Sequence, residues 1–163
     1  MKIVVSSLLL IVLACGLALA ADLDFEGLLG MRWADSLLGR ADLTQLYTVR
    51  GSTTAYAPEH APQSFMGLRV DDVTIWGCSE RLFGATVVLA DPADMPALKR
   101  ELVTLLGPPA PTSANRGELF KDGVRARVDE RTSSVYITHE PTREQYCPPP
   151  QAPQQPIKRP INR

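Results

Sequence analysis

Apolar residues are spaced along this chain in three ways, and each spacing predicts a different element. From Ile3 to Leu19 they run almost without interruption, as in a segment destined for a membrane or an export channel. Val73-Thr74-Ile75-Trp76 alternates, Ser79-Glu80-Arg81 can turn, and Leu82 to Leu89 is a β-branched run. Period two sends every second side chain to one face, so this stretch predicts an antiparallel hairpin. Leu98, Leu102, Leu105 and Leu106 share one face of a helix, with Lys99, Arg100 and Glu101 pointing outward. Asp94 stands where a cap is needed, Pro96 falls in the tolerated first turn, and Gly107-Pro108-Pro109 ends the helix.

The remaining pattern is β. Asp122-Gly123 suits a tight turn whose two central residues need positive φ, and Val124, Ala126 and Val128 alternate after it. Val135 to Thr138 reads as a last strand and Leu46 to Val49 as an early one. Glycines at 27, 30 and 39 punctuate the start of the domain and predict a loop feeding a short helix at 34–38, while Pro58 and Pro62 make 57–64 a loop. The expectation is an α+β fold: an antiparallel sheet of about five to six short strands with one main helix packed on one face.

Both ends read differently. Lys2, the apolar run and Ala18-Leu19-Ala20 predict a signal peptide over 1–20, leaving one α+β domain over 21–147 and a disordered, proline-rich basic tail over 148–163. Two other readings stay open: Val12-Leu13-Ala14-Cys15 as a lipoprotein box with Cys15 lipidated, and the apolar run as an uncleaved anchor. Residues 21–140 carry 12 basic and 17 acidic side chains and 141–163 carry four and one, so the expected domain is acidic and the end basic. That balance argues against nucleic acid as a partner, and removal of the leader would leave no stable membrane insertion. Export also changes the reading of the cysteines. In an oxidising compartment, Cys78 and Cys147 have a single intramolecular pairing, a disulfide.

Few residues are available for catalysis. His60 and His139 are the only histidines, and no G-x-S-x-G elbow accompanies them. His60, His139, Cys78 and Cys147 lack zinc-site spacing, and Asp22, Asp24 and Glu26 lack the loop glycine and terminal glutamate of a calcium hand. Neither Asp71-Asp72 nor Asp129-Glu130 marks an acid–base pair, because neighbours on a strand face opposite ways. No catalytic, cofactor-binding or metal residue is therefore assigned, and no cofactor is expected. Trp33, Trp76, Phe83, Phe120 and Tyr136 are expected mainly in the core, with Trp76 and Phe83 packing across one hairpin. Pro153 to Lys158 fits the P-x-x-P-x-K spacing of polyproline ligands, but a basic spacer resting on envelope polymers suits an exported chain better, and a tail without a function better still.

Phe25-x-Gly27, Gly30-Met31-x-Trp33 and a helix ending Leu105-Leu106-Gly107-Pro108-Pro109 resemble small exported bacterial proteins of unknown function. They are also similar to outer-membrane assembly lipoproteins and β-lactamase-inhibitor-like domains, whose helices open with Gly-Met and end with Leu-Gly-x-Pro. The resemblance implies binding or structural work in the envelope and fixes no functional residue. The expectation is thus a non-catalytic exported module, periplasmic or secreted, that binds a protein or envelope component; the alternative is a small secreted hydrolase using His60 or His139 with carboxylates. Intact-mass analysis of the exported protein should give a chain beginning Ala21-Asp22. A lipid-bearing chain starting at Cys15, or a retained Met1, would overturn the cleavage after Ala20.

Overall fold

The computed structural model describes residues 23–49, 52–109 and 117–147. The expected leader over 1–20 and the tail over 148–163 lie outside them. The fold is α+β, with a short hairpin of β1 (Gly27–Leu28) and β2 (Met31–Arg32) set apart from one large antiparallel sheet. That sheet contains β3 (Leu43–Val49), β4 (Thr53–Pro58), β5 (Ser64–Phe65), β6 (Leu68–Cys78), β7 (Arg81–Leu89), β8 (Glu118–Lys121), β9 (Val124–Asp129) and β10 (Ser134–His139). Seven of these strands lie in the order β3-β4-β6-β7-β10-β9-β8, and β5 pairs with the start of β6. The expected five to six strands therefore become eight. The difference is β4 and β5, hidden in a Ser/Thr- and proline-rich stretch. Pro58 lies beyond Tyr56, the last β4 residue paired with β6, so its missing amide breaks no bond to that strand.

The main helix, α1 (Met95–Leu106), buries Met95, Leu98, Leu102 and Leu106, with Leu105 half-buried beside them. They share the core with Val73, Ile75, Ala85, Val87, Leu119, Val124, Val135 and Ile137 from the sheet. Each fully buried leucine contributes about 1.5–3 kcal/mol. The cap is one acidic residue earlier than the spacing suggests. Asp91 accepts from the Ala93 amide at 2.9 Å and starts a 3-10 turn over Pro92–Asp94, whereas Asp94 makes no side-chain cap bond. Gly107 ends α1 at φ +84°, a conformation glycine adopts without strain.

The short helix expected at 34–38 is absent, because its backbone groups find partners elsewhere. Ala34 sits at φ +66°, outside the helical region. The Leu37 amide donates to the Glu80 carbonyl at 2.8 Å, and the Leu82 amide donates to the Asp35 carbonyl at 3.0 Å. The segment thus straps the β6–β7 turn, and Leu37 is buried beneath it at 2% exposure. The Asp122-Gly123 turn forms as expected, at φ +50° and +85°.

A second helix, α2 (Glu140–Tyr146), follows β10 directly, with Pro141 in its first turn. It packs against β7 and β10 and delivers Cys147 to Cys78 in a disulfide with a Cα–Cα distance of 5.5 Å. That bond closes a loop with a sequence separation of 69, and loop entropy alone makes it worth about 4 kcal/mol. Reduction of the purified protein should therefore lower its denaturant-unfolding free energy by about that much. Equal midpoints for the oxidised and reduced chains would show that the unfolded state is not restrained in this way.

Candidate functional site

Strand alternation divides the sheet into two unlike faces. Val73 and Ile75 on β6, Ala85 and Val87 on β7, and Val135 and Ile137 on β10 point toward α1 and are buried. Their neighbours Thr74, Trp76, Gly84, Thr86, Ser134 and Tyr136 take the opposite face. The register aligns Trp76 with Gly84 and with Ala55, Ala55 with Tyr47, and Thr86 with both Thr74 and Tyr136. Small residues thus separate large aromatic ones. The indole of Trp76 leans over the gaps and meets Tyr47 edge-on at 6.3 Å and Tyr136 edge-on at 6.4 Å between ring centroids.

One polar tip in this row is held by a specific partner. Trp76 Nε1 donates to Thr86 Oγ1 at 2.8 Å, which fixes the indole plane. Burial raises the pKa of Tyr136 above the ordinary phenol value, only partly offset by Arg143 and Arg127, so its hydroxyl stays protonated at neutral pH. Val49 and Thr53 bound the row on one side, and Arg127, Asp129 and Ser134 bound it on the other, enclosing an open groove of about 410 Å³. At the end nearest α2, Glu140 accepts from Thr138 Oγ1 at 2.8 Å and lies 3.4 Å from Arg125 Nε, while Arg125 also pairs with Glu118 at 2.7 Å. This charge network fixes one corner of the face.

The expected core role of the aromatics is therefore only partly met. Trp33 and Phe25 pack against the core and Phe83 is buried, but Trp76 and Tyr136 lie on the other face and Phe120 is 52% exposed. Phe83 is the extra residue where β7 slips against β6, so Trp76 faces Gly84 rather than Phe83. Sequence reasoning passed over Tyr47, Thr86, Arg127 and Ser134. The phase of Trp76, shared with Thr74 and opposed to Val73 and Ile75, was the signal that could have found them.

The two histidines occupy separate sites. His139 Nδ1 is 2.7 Å from Thr142 Oγ1, and its ring stacks on Trp33 at 5.3 Å. Thr142 is 4% exposed, and Glu140, the adjacent carboxylate, is engaged by Thr138 and Arg125 instead. His60 lines a different cavity of about 380 Å³ beside Leu29, Leu43 and the Arg40–Asp42 ion pair. Among the described residues, neither imidazole is hydrogen-bonded to both a hydroxyl and a carboxylate. Cys78 and Cys147 are joined to each other, and among the described residues no three His, Cys, Asp or Glu side chains cluster as metal ligands. Asp24 accepts from the Glu26 and Gly27 amides at 2.8 and 2.6 Å and so shapes the turn into β1.

Among the described residues no helix is long and apolar enough to cross a membrane. Comparison with family models, with curated proteins and with solved structures finds no match to this chain.

Burial lowers the pKa of His139 below 6.5, with Glu140 opposing the shift, so the folded state favours the neutral ring. The unfolded chain then takes up the proton first as pH falls. The stabilisation is complete above pH 6.5 and is lost progressively as pH drops toward the folded value. Thermal midpoints measured from pH 7.5 downward should fall more steeply for the wild type than for His139→Asn. Parallel curves would show that this imidazole does not contribute.

Proposed function

We propose that this chain is an exported, non-catalytic binding module that receives an extended segment of a partner protein on the open face of its sheet. One observation carries the reading: the Tyr47–Trp76–Tyr136 row lies on the side of the sheet away from the core, with the Trp76 indole N–H already held by Thr86. Rings packed for stability alone belong with α1. Half-buried Trp76 and Tyr136, with exposed Tyr47 beside them, instead supply braced contact area at low entropic cost, which is the usual makeup of a binding hot spot. Arg127, Asp129, Thr53 and Ser134 at the groove walls add hydrogen-bonding groups that could select among ligands. The disulfide suits an oxidising compartment and so supports export, as does the apolar start of the sequence. The family resemblance also implies binding or structural work in the envelope.

The reading is tested in the exporting cell with a photo-crosslinking amino acid placed at Ser134, inside the groove, and at Arg100, on the outer surface of α1. Adducts to one defined partner should form from Ser134 and not from Arg100. Trp76→Ala should reduce the Ser134 adduct at least about tenfold, the loss expected for a residue worth about 1.4 kcal/mol or more. Equal labelling from both positions, or labelling insensitive to Trp76, would overturn the assignment of the face.

A further inference from the structure

The groove crosses the strands from Val49 on β3 and Thr53 on β4 to Arg127 and Asp129 on β9, with Trp76, Thr86 and Tyr136 between them. Among the described residues that line it, only Arg127 and Asp129 are charged. Asp129 accepts from the Arg131 amide at 2.9 Å. Arg127 has no comparable partner. Glu118 lies directly across from it on β8, but that carboxylate is taken by Arg125 at 2.7 Å, and Arg125 reaches Glu140 as well. Among the described residues, the exposed Arg127 guanidinium is therefore in no ion pair.

Two further donors stand in line with it. Tyr136 is directly across from Arg127 on β10, so the two side chains are neighbours on one face, about 5 Å apart at Cβ. Its phenol stays protonated and, among the described residues, gives its proton to no acceptor. Thr86, across from Tyr136 on β7, accepts the Trp76 indole proton and keeps its own hydroxyl proton to give. Three donors, one of them a full positive charge, thus meet along one line of the sheet. A carboxylate supplies the negative charge and the several lone pairs that such a set calls for. We propose that the partner segment carries an aspartate or glutamate side chain that seats between Arg127 and Tyr136, with a large apolar side chain two or four positions away resting on Trp76. The inference rests on the open face being the binding site and names what that site selects.

Backbone pairing excludes the other source of a carboxylate, the end of a chain. Chain ends are captured by clusters of free backbone amides, whereas β9 is paired with β8 on one side and β10 on the other around Arg127. The spacing follows from the sheet. β9 is three places from β6 in strand order, about 14 Å, and an extended segment covers that in four residues at about 3.3 Å each. Residues two or four apart on such a segment project to the same side, and Tyr136, with its ring 6.4 Å from that of Trp76, takes the position between. Asp129, two residues along β9 from Arg127, shares its face and repels a second acid, so the site accepts one carboxylate rather than an acidic run.

The test offers the purified full chain a random peptide library displayed through the peptides' C-termini, so that any carboxylate selected is a side chain. The sequences retained should share an Asp or Glu two or four positions from a large apolar residue. The strongest of them, synthesised with an amidated C-terminus, should bind Arg127→Gln at least about tenfold more weakly than the unaltered chain, and replacing its acid by the matching amide should cost as much. Both changes together should cost no more than either alone, which marks the two groups as partners. Arg127 is exposed, and equal thermal midpoints verify that Arg127→Gln keeps the fold. Retained sequences without an acid, or losses that simply add, would overturn the proposal. The two ideas fail separately. Peptides that lose binding with Trp76→Ala but ignore Arg127→Gln overturn the carboxylate and leave the binding face standing, whereas a selection in which no peptide depends on Trp76 overturns the face and the carboxylate with it.

Discussion

The width of the sheet sets what the rest of the molecule can do. Seven strands side by side extend roughly 30 Å, while a helix of the length of α1 spans about 18 Å. One such helix, with the β1–β2 hairpin and the 34–37 strap beside it, covers one face only. α2 covers only one end of the other, packing on β7 and β10 between the Glu140–Arg125 contact and the Cys78–Cys147 bond. Period-two alternation then forces every second residue of β6, β7 and β10 onto a surface that, among the described residues, has no layer over most of its area. Most of them suit such a surface: Thr74, Thr86, Ser134 and Arg127. The aromatic row is the departure, and it accounts for the groove.

Rings left only half-buried, as Trp76 and Tyr136 are, forgo apolar burial that a core position would give, so their arrangement is informative. Trp76 is braced by Thr86 below and by two tyrosines edge-on, and it stands over Gly84, where a Cβ would press into the Ile137 carbonyl and Thr138. Little side-chain freedom is left for a ligand to remove. Rigidity of this kind spares part of the entropic cost of association, which a mobile surface would have to meet at the moment of contact.

Much of this fold was legible in the chain, and the failures have physical causes. The leucine spacing of α1, the Asp122-Gly123 turn and the alternation of β6 and β7 are local signals that the tertiary structure reinforces. The pairing of Cys78 with Cys147 followed from the supply of thiols. β4 was obscured because proline at a strand end looks the same in sequence as proline in a loop; only the register shows that Pro58 lies past the last bond to β6. The 34–38 helix failed because partners at Glu80 and Leu82, more than 40 residues away, satisfied its backbone groups. The open aromatic face was missed for a different reason. Alternation reveals which residues share a face but not which face a helix will cover, and Trp76 could only be assigned once α1 was seen on the other side.

The sheet ends at β3, and its outer rim has a consequence for how copies of the protein coexist. Leu46, Tyr47 and Val49 are about half exposed there, on a strand whose outer backbone groups have no neighbour in the described sheet. A long flat edge of that composition is a template onto which a second copy can stack. The register slips between Gln45 and Tyr47, leaving Leu46 as an extra residue and breaking the strand into two stretches of three. Neither stretch is long enough to nucleate a stable added strand, and the bulge sharpens the local twist. A single inserted residue thus shortens the flat stretch of edge onto which another copy could add a strand.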